Sequence, residues 1–145
     1  MKPPAHKAPQ AAHRFDIRTR IYWEDTDAGG VVYYANYLKF MERCRSDWLR
    51  ALHIDQQRLR AERQLQFAVV SVTVDFIRPA VLNDEILVTA ELVRLSGATI
   101  LFKQTIMRGD AQLIDASVRA ACLDSGTLKP RPIPKDLFVE WRNGQ

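Results

Sequence analysis

The chain gathers its reactive groups in one short run, YWEDTDAGGVVYY, residues 22–34. Three carboxylates (Glu24, Asp25, Asp27) stand together, two glycines follow, and an apolar helical pattern begins at once. Gly29 and Gly30 lack a Cβ, so the backbone there can take positive φ and a ligand can approach it closely. A helix starting at this point has first-turn amides, around Val32 to Tyr34, without intrahelical acceptors. They sit at the positive end of the helix dipole, which suits an oxyanion or a polarised carbonyl. Asp27 stands beside them as an anion able to act as nucleophile or general base. A carboxylate next to unpaired amides is an acyl-transfer pair. Asp is equally the residue that closes an ordinary turn, and the run by itself leaves both roles open. A three-carboxylate metal site does not follow, because strand side chains alternate in direction and a helix N-terminus disfavours a cation. The run calls for no metal and no cofactor.

Elements on either side must position this run. Ile17, Thr19, Ile21 and Trp23 alternate with Arg18, Arg20 and Tyr22, which predicts a first strand over 17–23 with one buried face. Tyr34, Tyr37, Leu38, Met41, Cys44, Trp48, Leu49 and Leu52 recur at helical spacing and predict a helix of about five turns. Arg45 falls inside that apolar arc, where a guanidinium needs a partner unless its stem carries it to solvent. Asp25 is the first candidate and Glu42 the second. Asp55 reads as the N-cap of a short polar turn, DQQRLRAER. Four β-branched and aromatic runs follow: QFAVVSVTVDFIRP, EILVTAELVRL, TILFKQTIMR and QLIDASVRAACL. Their separators PAVLND, SGA and RGDA are too short for crossover helices, so the strands are antiparallel neighbours. The fold class is α+β: one long helix wrapped by a curved antiparallel sheet of about five strands.

Composition sets the outer limits. A chain of 145 residues, 47% hydrophobic and 26% charged, fits one globular domain with no bilayer-spanning stretch. Residues 1–14 hold three prolines and no secretory segment, which predicts a disordered tail ahead of a domain over 15–145 and a cytoplasmic protein. Of the net charge of +4, Lys2, Lys7 and Arg14 in that tail account for +3. The rest shows no basic run or stacking motif, which argues against a nucleic-acid partner. Cys44 and Cys122 stand apart in apolar patterns and read as buried thiols in a reducing compartment.

The string EDTDAGGVVYYANYLKFMERCR, with FIRPAVLNDEI and LKPRPIPKDL later, resembles the YbgC type of acyl-CoA thioesterase, within the 4-hydroxybenzoyl-CoA thioesterase group of hotdog proteins. The resemblance runs from about Arg18 to Leu137, and the hotdog is the helix-on-sheet arrangement just described. It implies thioester hydrolysis with Asp27 as the catalytic carboxylate and the Tyr34 backbone N–H as the polarising amide. The substrate-binding set becomes Gly29, Gly30, Val31, Val32, Tyr33 and Asn36, with Asp25 and Arg45 in support. The substrate is an acyl-CoA, and no cofactor is implied. Arg78, Arg94, Lys103, Lys129, Arg131 and Lys135 are available to its phosphates, and Tyr33, Tyr34, Tyr37, Trp48, Phe67 and Phe76 to its acyl chain. The resemblance further implies a homodimer of continuous sheets, paired into a tetramer, with the site where subunits meet. It also implies a link to the Tol-Pal envelope system. Acyl carrier protein is a second partner, which leaves an acyl-binding adaptor with little catalysis as the alternative function.

Some features depart from that pattern. Related enzymes often carry His or Asn after the motif glycine, whereas Val31 and Val32 follow Gly30. Of the three histidines, His6 and His13 lie in the tail and His53 beyond the helix, so no imidazole is placed by motif. A hydratase or dehydratase, which wants a His-acid pair beside the helix, is thereby disfavoured. Glu42, the one acid flanking the apolar arc, ranks below Asp27.

Overall fold

The computed structural model describes residues 13–145. Its elements are β1 (Arg14–Arg20), α1 (Tyr34–Ala51), α2 (Gln56–Arg63), β2 (Leu65–Phe76), β3 (Glu85–Ser96), β4 (Thr99–Arg108), β5 (Ala111–Asp124) and a short α3 (Val139–Asn143). Residues 1–12, which carry most of the expected tail, lie outside the described residues. Arg14, placed at the end of that tail by sequence, already pairs with Glu91.

The five strands form one antiparallel sheet in the order β1-β3-β4-β5-β2. Period-two alternation sorts its faces. Ile86, Val88 and Ala90 of β3, Ile100, Phe102 and Ile106 of β4, and Ala116, Val118 and Ala120 of β5 are buried on the side that carries α1. Against them α1 lays Tyr37, Phe40, Met41, Cys44, Trp48 and Leu49. Each large apolar side chain removed from water there contributes about 1.5–3 kcal/mol, which is what holds a lone helix on a sheet.

The first strand ends earlier than its alternation suggests. Ile21 is fully buried, but Trp23 is 77% exposed, because residues 23–25 turn into a 3-10 segment instead of continuing the pleat. The polar stretch after Asp55 is a full α-helix, α2, capped as expected by Asp55, whose Oδ1 accepts the Arg58 N–H at 3.1 Å.

α1 packs chiefly on β3 and β1. It leaves β2, an edge strand, with Val69, Val70, Val72 and Phe76 exposed. Among the described residues, no helix is long and apolar enough to cross a membrane.

Candidate active site

The run 22–34 folds as a small hairpin feeding a helix. The Tyr33 N–H donates to Asp25 O at 3.1 Å, Thr26 bridges Val32, and the Asp27 N–H donates to Val31 O at 2.8 Å. Gly30 closes the tip at φ 79, a conformation that favours glycine, with its N–H on Asp27 O at 3.0 Å. The hairpin thus pairs Asp27 with Val31 and Asp25 with Tyr33, the residue just before α1.

The Asp27 side chain is exposed, and its Oδ1 accepts the Gly29 N–H at 2.8 Å. This is the turn role that Asp commonly fills, and it leaves Oδ2 with no hydrogen-bond partner among the described residues. A Cβ at Gly29 would stand 3.2 Å from Asp27 Oδ1, close enough that the carboxylate would have to shift by a few tenths of an ångström.

Of the first-turn amides, Val32 and Tyr33 are not free, contrary to the sequence expectation. The Val32 N–H donates to Ala80 O at 2.9 Å, and Tyr33's is taken by Asp25 O. Both residues precede the helix; the hairpin uses the Tyr33 amide, and the Ala80 carbonyl, from a separate turn, takes that of Val32. Among the described residues no acceptor meets the N–H of Tyr34 or Ala35, so the helix dipole is presented by these two.

The flanking side chains have distinct tasks. Asn36, expected to touch substrate, gives its Nδ2 to Asp25 O at 2.8 Å and so ties the first helical turn to the carboxylate run. Asp25 turns its carboxylate back onto the Tyr22 N–H at 2.9 Å. Tyr33 and Tyr34 stand exposed with rings 4.8 Å apart, and Tyr34 meets Phe76 edge-on at 6.3 Å. The neighbouring Tyr34 side chain, toward which the Tyr33 hydroxyl holds its proton, raises the Tyr33 phenol above its usual range. Trp48, expected beside the acyl chain, is core instead, packed against Phe102 at 6.0 Å.

Arg45 is bound by neither Asp25 nor Glu42. Its Nη1 donates to Gln104 Oε1 at 2.7 Å, and Gln104 Nε2 reaches Met41 O at 3.1 Å and Thr89 O at 3.3 Å. Asp25 is occupied at the hairpin, and Glu42 accepts from Ser46 at 2.6 Å. Burial pulls the guanidinium below its usual range, with Glu42's charge opposing. Gln104 was missed in the sequence although its signal was present: it is the polar residue on the inward row Ile100, Phe102, Gln104, Ile106. Arg45, Glu42, Phe67, Val69 and Phe102 are among the residues lining a cavity of about 120 Å³ between α1 and the sheet. Cys44 is buried, and that burial pushes its thiol up to about 12, so it stays protonated and inert.

Of the candidate phosphate contacts, Arg131 is already engaged, with Nη1 on Arg63 O at 2.9 Å and 3.7 Å from Asp124. Arg78 reaches Gln112 O at 3.4 Å.

Residues 29–114 match the family model described as the thioesterase superfamily. The chain is 46% identical to the acyl-CoA thioesterase YbgC of Haemophilus influenzae, covering 89% of this chain and 95% of that protein. It is 41% identical to the acyl-CoA thioester hydrolase YbgC of Escherichia coli, covering 85% and 92%. Among solved structures, a probable thioesterase from Bartonella henselae superposes with a TM-score of 0.78 at 35% identity, over 83% of this chain and 99% of that one. A 1,4-dihydroxy-2-naphthoyl-CoA thioesterase from Synechocystis shares the fold at TM-score 0.81 and 23% identity, over 90% and 96%.

Proposed function

The chain belongs to the thioesterase superfamily, with the hotdog fold and the activity of a thioester hydrolase acting on acyl-CoA, and from that premise we propose that Asp27 and the Tyr34 amide carry out the hydrolysis. The observation that supports this is that one short hairpin holds a carboxylate with one unpartnered oxygen among the described residues and leads directly into a helix start whose amides at Tyr34 and Ala35 have no acceptor there. The thioester carbonyl oxygen sits on the amides, which stabilise its charge as the tetrahedral state forms, worth about 3 kcal/mol per donor in other acyl-transfer enzymes.

Two routes are open to Asp27. In one, Oδ2 bonds to the carbonyl carbon, the C–S bond breaks and the thiolate leaves; water then opens the mixed anhydride and restores the carboxylate. In the other, Asp27 takes a proton from water, the hydroxide attacks, and the proton passes to the departing thiolate. Rapid quenching and mass spectrometry of the Asp27 peptide separates them: an acyl adduct marks the first.

The acyl chain would lie beside Tyr34 and Phe76 and along the apolar row of β2 toward the cavity at Phe67. The same exposed edge supports assembly with a second copy in the cytoplasm, since an unpaired apolar edge strand invites pairing. A panel of acyl-CoAs, from short aliphatic to long-chain and benzoyl, followed by thiol release, tests the reading. Turnover of at least one member is expected. A folded, oligomeric protein that hydrolyses none contradicts it and turns attention to binding of acylated carrier protein.

A further inference from the structure

The two groups assigned to the reaction sit on different pieces of chain: Asp27 on the hairpin, Tyr34 on α1. One segment outside both touches both, the turn of residues 79–84. Ala80 O accepts the Val32 N–H at 2.9 Å, and Val81 bridges Val31, whose own carbonyl holds the Asp27 N–H at 2.8 Å. That is the link to the hairpin. The link to the helix is Tyr37, one turn after Tyr34, whose hydroxyl accepts the Ala80 N–H at 2.9 Å.

The turn is fixed in its own right. Arg108, the last residue of β4, places Nη1 2.7 Å from Asp84 Oδ2 and 3.1 Å from Pro79 O. The same Asp84 oxygen accepts the Val81 N–H at 2.9 Å, and Asn83 bends the chain at φ 72. Ala80 is fully buried, so its N–H has no water to turn to if the Tyr37 oxygen is removed. Burial raises the Tyr37 phenol, which keeps it a neutral hydroxyl at working pH; Arg108 and the Ala80 N–H oppose that shift and Asp84 adds to it.

We propose that Tyr37, Asp84 and Arg108 are positioning residues, which through the 79–84 turn set the spacing between the Asp27 carboxylate and the Tyr34 amide. The inference rests on the reading of that pair as the reacting groups. Its physical basis is that transition-state contacts are sensitive to displacements well under the size of an atom, while ground-state binding of a long substrate is not.

The experiment is steady-state kinetics of the full chain on the best-hydrolysed acyl-CoA of the panel, comparing Tyr37→Phe, Asp84→Asn, Arg108→Gln and Arg108→Lys with wild type and Asp27→Asn. Tyr37→Phe and Asp84→Asn are expected to lower kcat by about ten- to a hundredfold with KM unchanged. Arg108→Lys, which keeps a cation for Asp84, retains more kcat than Arg108→Gln. The double variant Asp27→Asn with Tyr37→Phe is no slower than Asp27→Asn alone, since both act on one carboxylate. If Tyr37→Phe does not fold, Asp84→Asn and the Arg108 pair decide, because their side chains are only partly buried. Wild-type kcat in folded Tyr37→Phe and Asp84→Asn, or a rise in KM alone, overturns the positioning role while a dead Asp27→Asn leaves the site reading standing. Full activity in Asp27→Asn overturns the site reading itself, and the positioning role with it.

Discussion

In the second half of α1, Trp48 is buried against Phe102, the Cys44 thiol donates to Val88 O at 3.4 Å, and Arg45 is bound to Gln104, itself held by two carbonyls. In the first turn of the same helix, Tyr34 is 60% exposed and the amides of Tyr34 and Ala35 have no acceptor among the described residues. The helix is continuous between them. The contrast shows how one element can be anchored by packing at one end so that its other end is free to bind. Groups left unsatisfied at a surface cost little in stability, because water serves them until substrate arrives. The same omission at the Trp48 end would be costly.

Substitutions at the two ends should therefore separate stability from turnover. The largest effect is expected from Trp48→Ala, which empties a core site and should lower stability by about 3–5 kcal/mol. Chemical denaturation reads this directly, and activity per folded molecule should stay near wild type. Gln104→Leu comes next. It strands the partly buried Arg45 and should cost about 1–3 kcal/mol, much of it recovered when Arg45→Met is added, because two apolar groups can replace a satisfied polar pair. An additive double variant would show that Arg45 finds solvent unaided. At the other end, Gly29→Ala should leave the melting temperature within the usual range for a surface change but reduce kcat by about tenfold, by crowding the Asp27 carboxylate. The smallest effect concerns the C-terminal stretch beyond β5. The amides of Thr127 and Gly126 hold the Asp124 carboxyl below its usual range, and the Arg63 guanidinium does the same for Asp136. A depressed folded-state pKa stabilises above the unfolded value and loses that contribution as pH falls through the folded one. Hydrogen exchange should then show residues 124–136 loosening below about pH 4, with α1 unchanged.

Regular elements were legible in the sequence because their signals are periodic and local. The run TILFKQTIMR coincides with β4 from end to end, and Tyr34 marks the start of α1. Trp23 misled because an alternating pattern cannot show where a chain leaves the sheet; the departure is enforced by the hairpin bonds of residues 25–33. Arg45 was correctly read as a cation needing a partner, but the partner is 59 residues away on β4, and no local rule selects a neutral Gln over a nearby acid. Of the helix-start amides expected to be free, around Val32 to Tyr34, those of Val32 and Tyr33 are taken by the Ala80 and Asp25 carbonyls, and the first of these is a tertiary contact that no local pattern shows. The substrate contacts named on the loop and first turn remain proposals. The 79–84 turn, with Ala80 against Val32, had no sequence signal beyond the short PAVLND link itself.

The proposed hydrolysis depends on Asp27. Thiol release from the panel, measured for wild type and Asp27→Asn at matched folding and oligomeric state, tests it most directly. The account predicts a loss of about 10²- to 10⁴-fold in kcat for the variant, with stability within about 0.5 kcal/mol of wild type. A folded Asp27→Asn that turns over acyl-CoA at the wild-type rate would contradict it, and would leave Asp27 as a turn residue beside a site whose chemistry lies elsewhere.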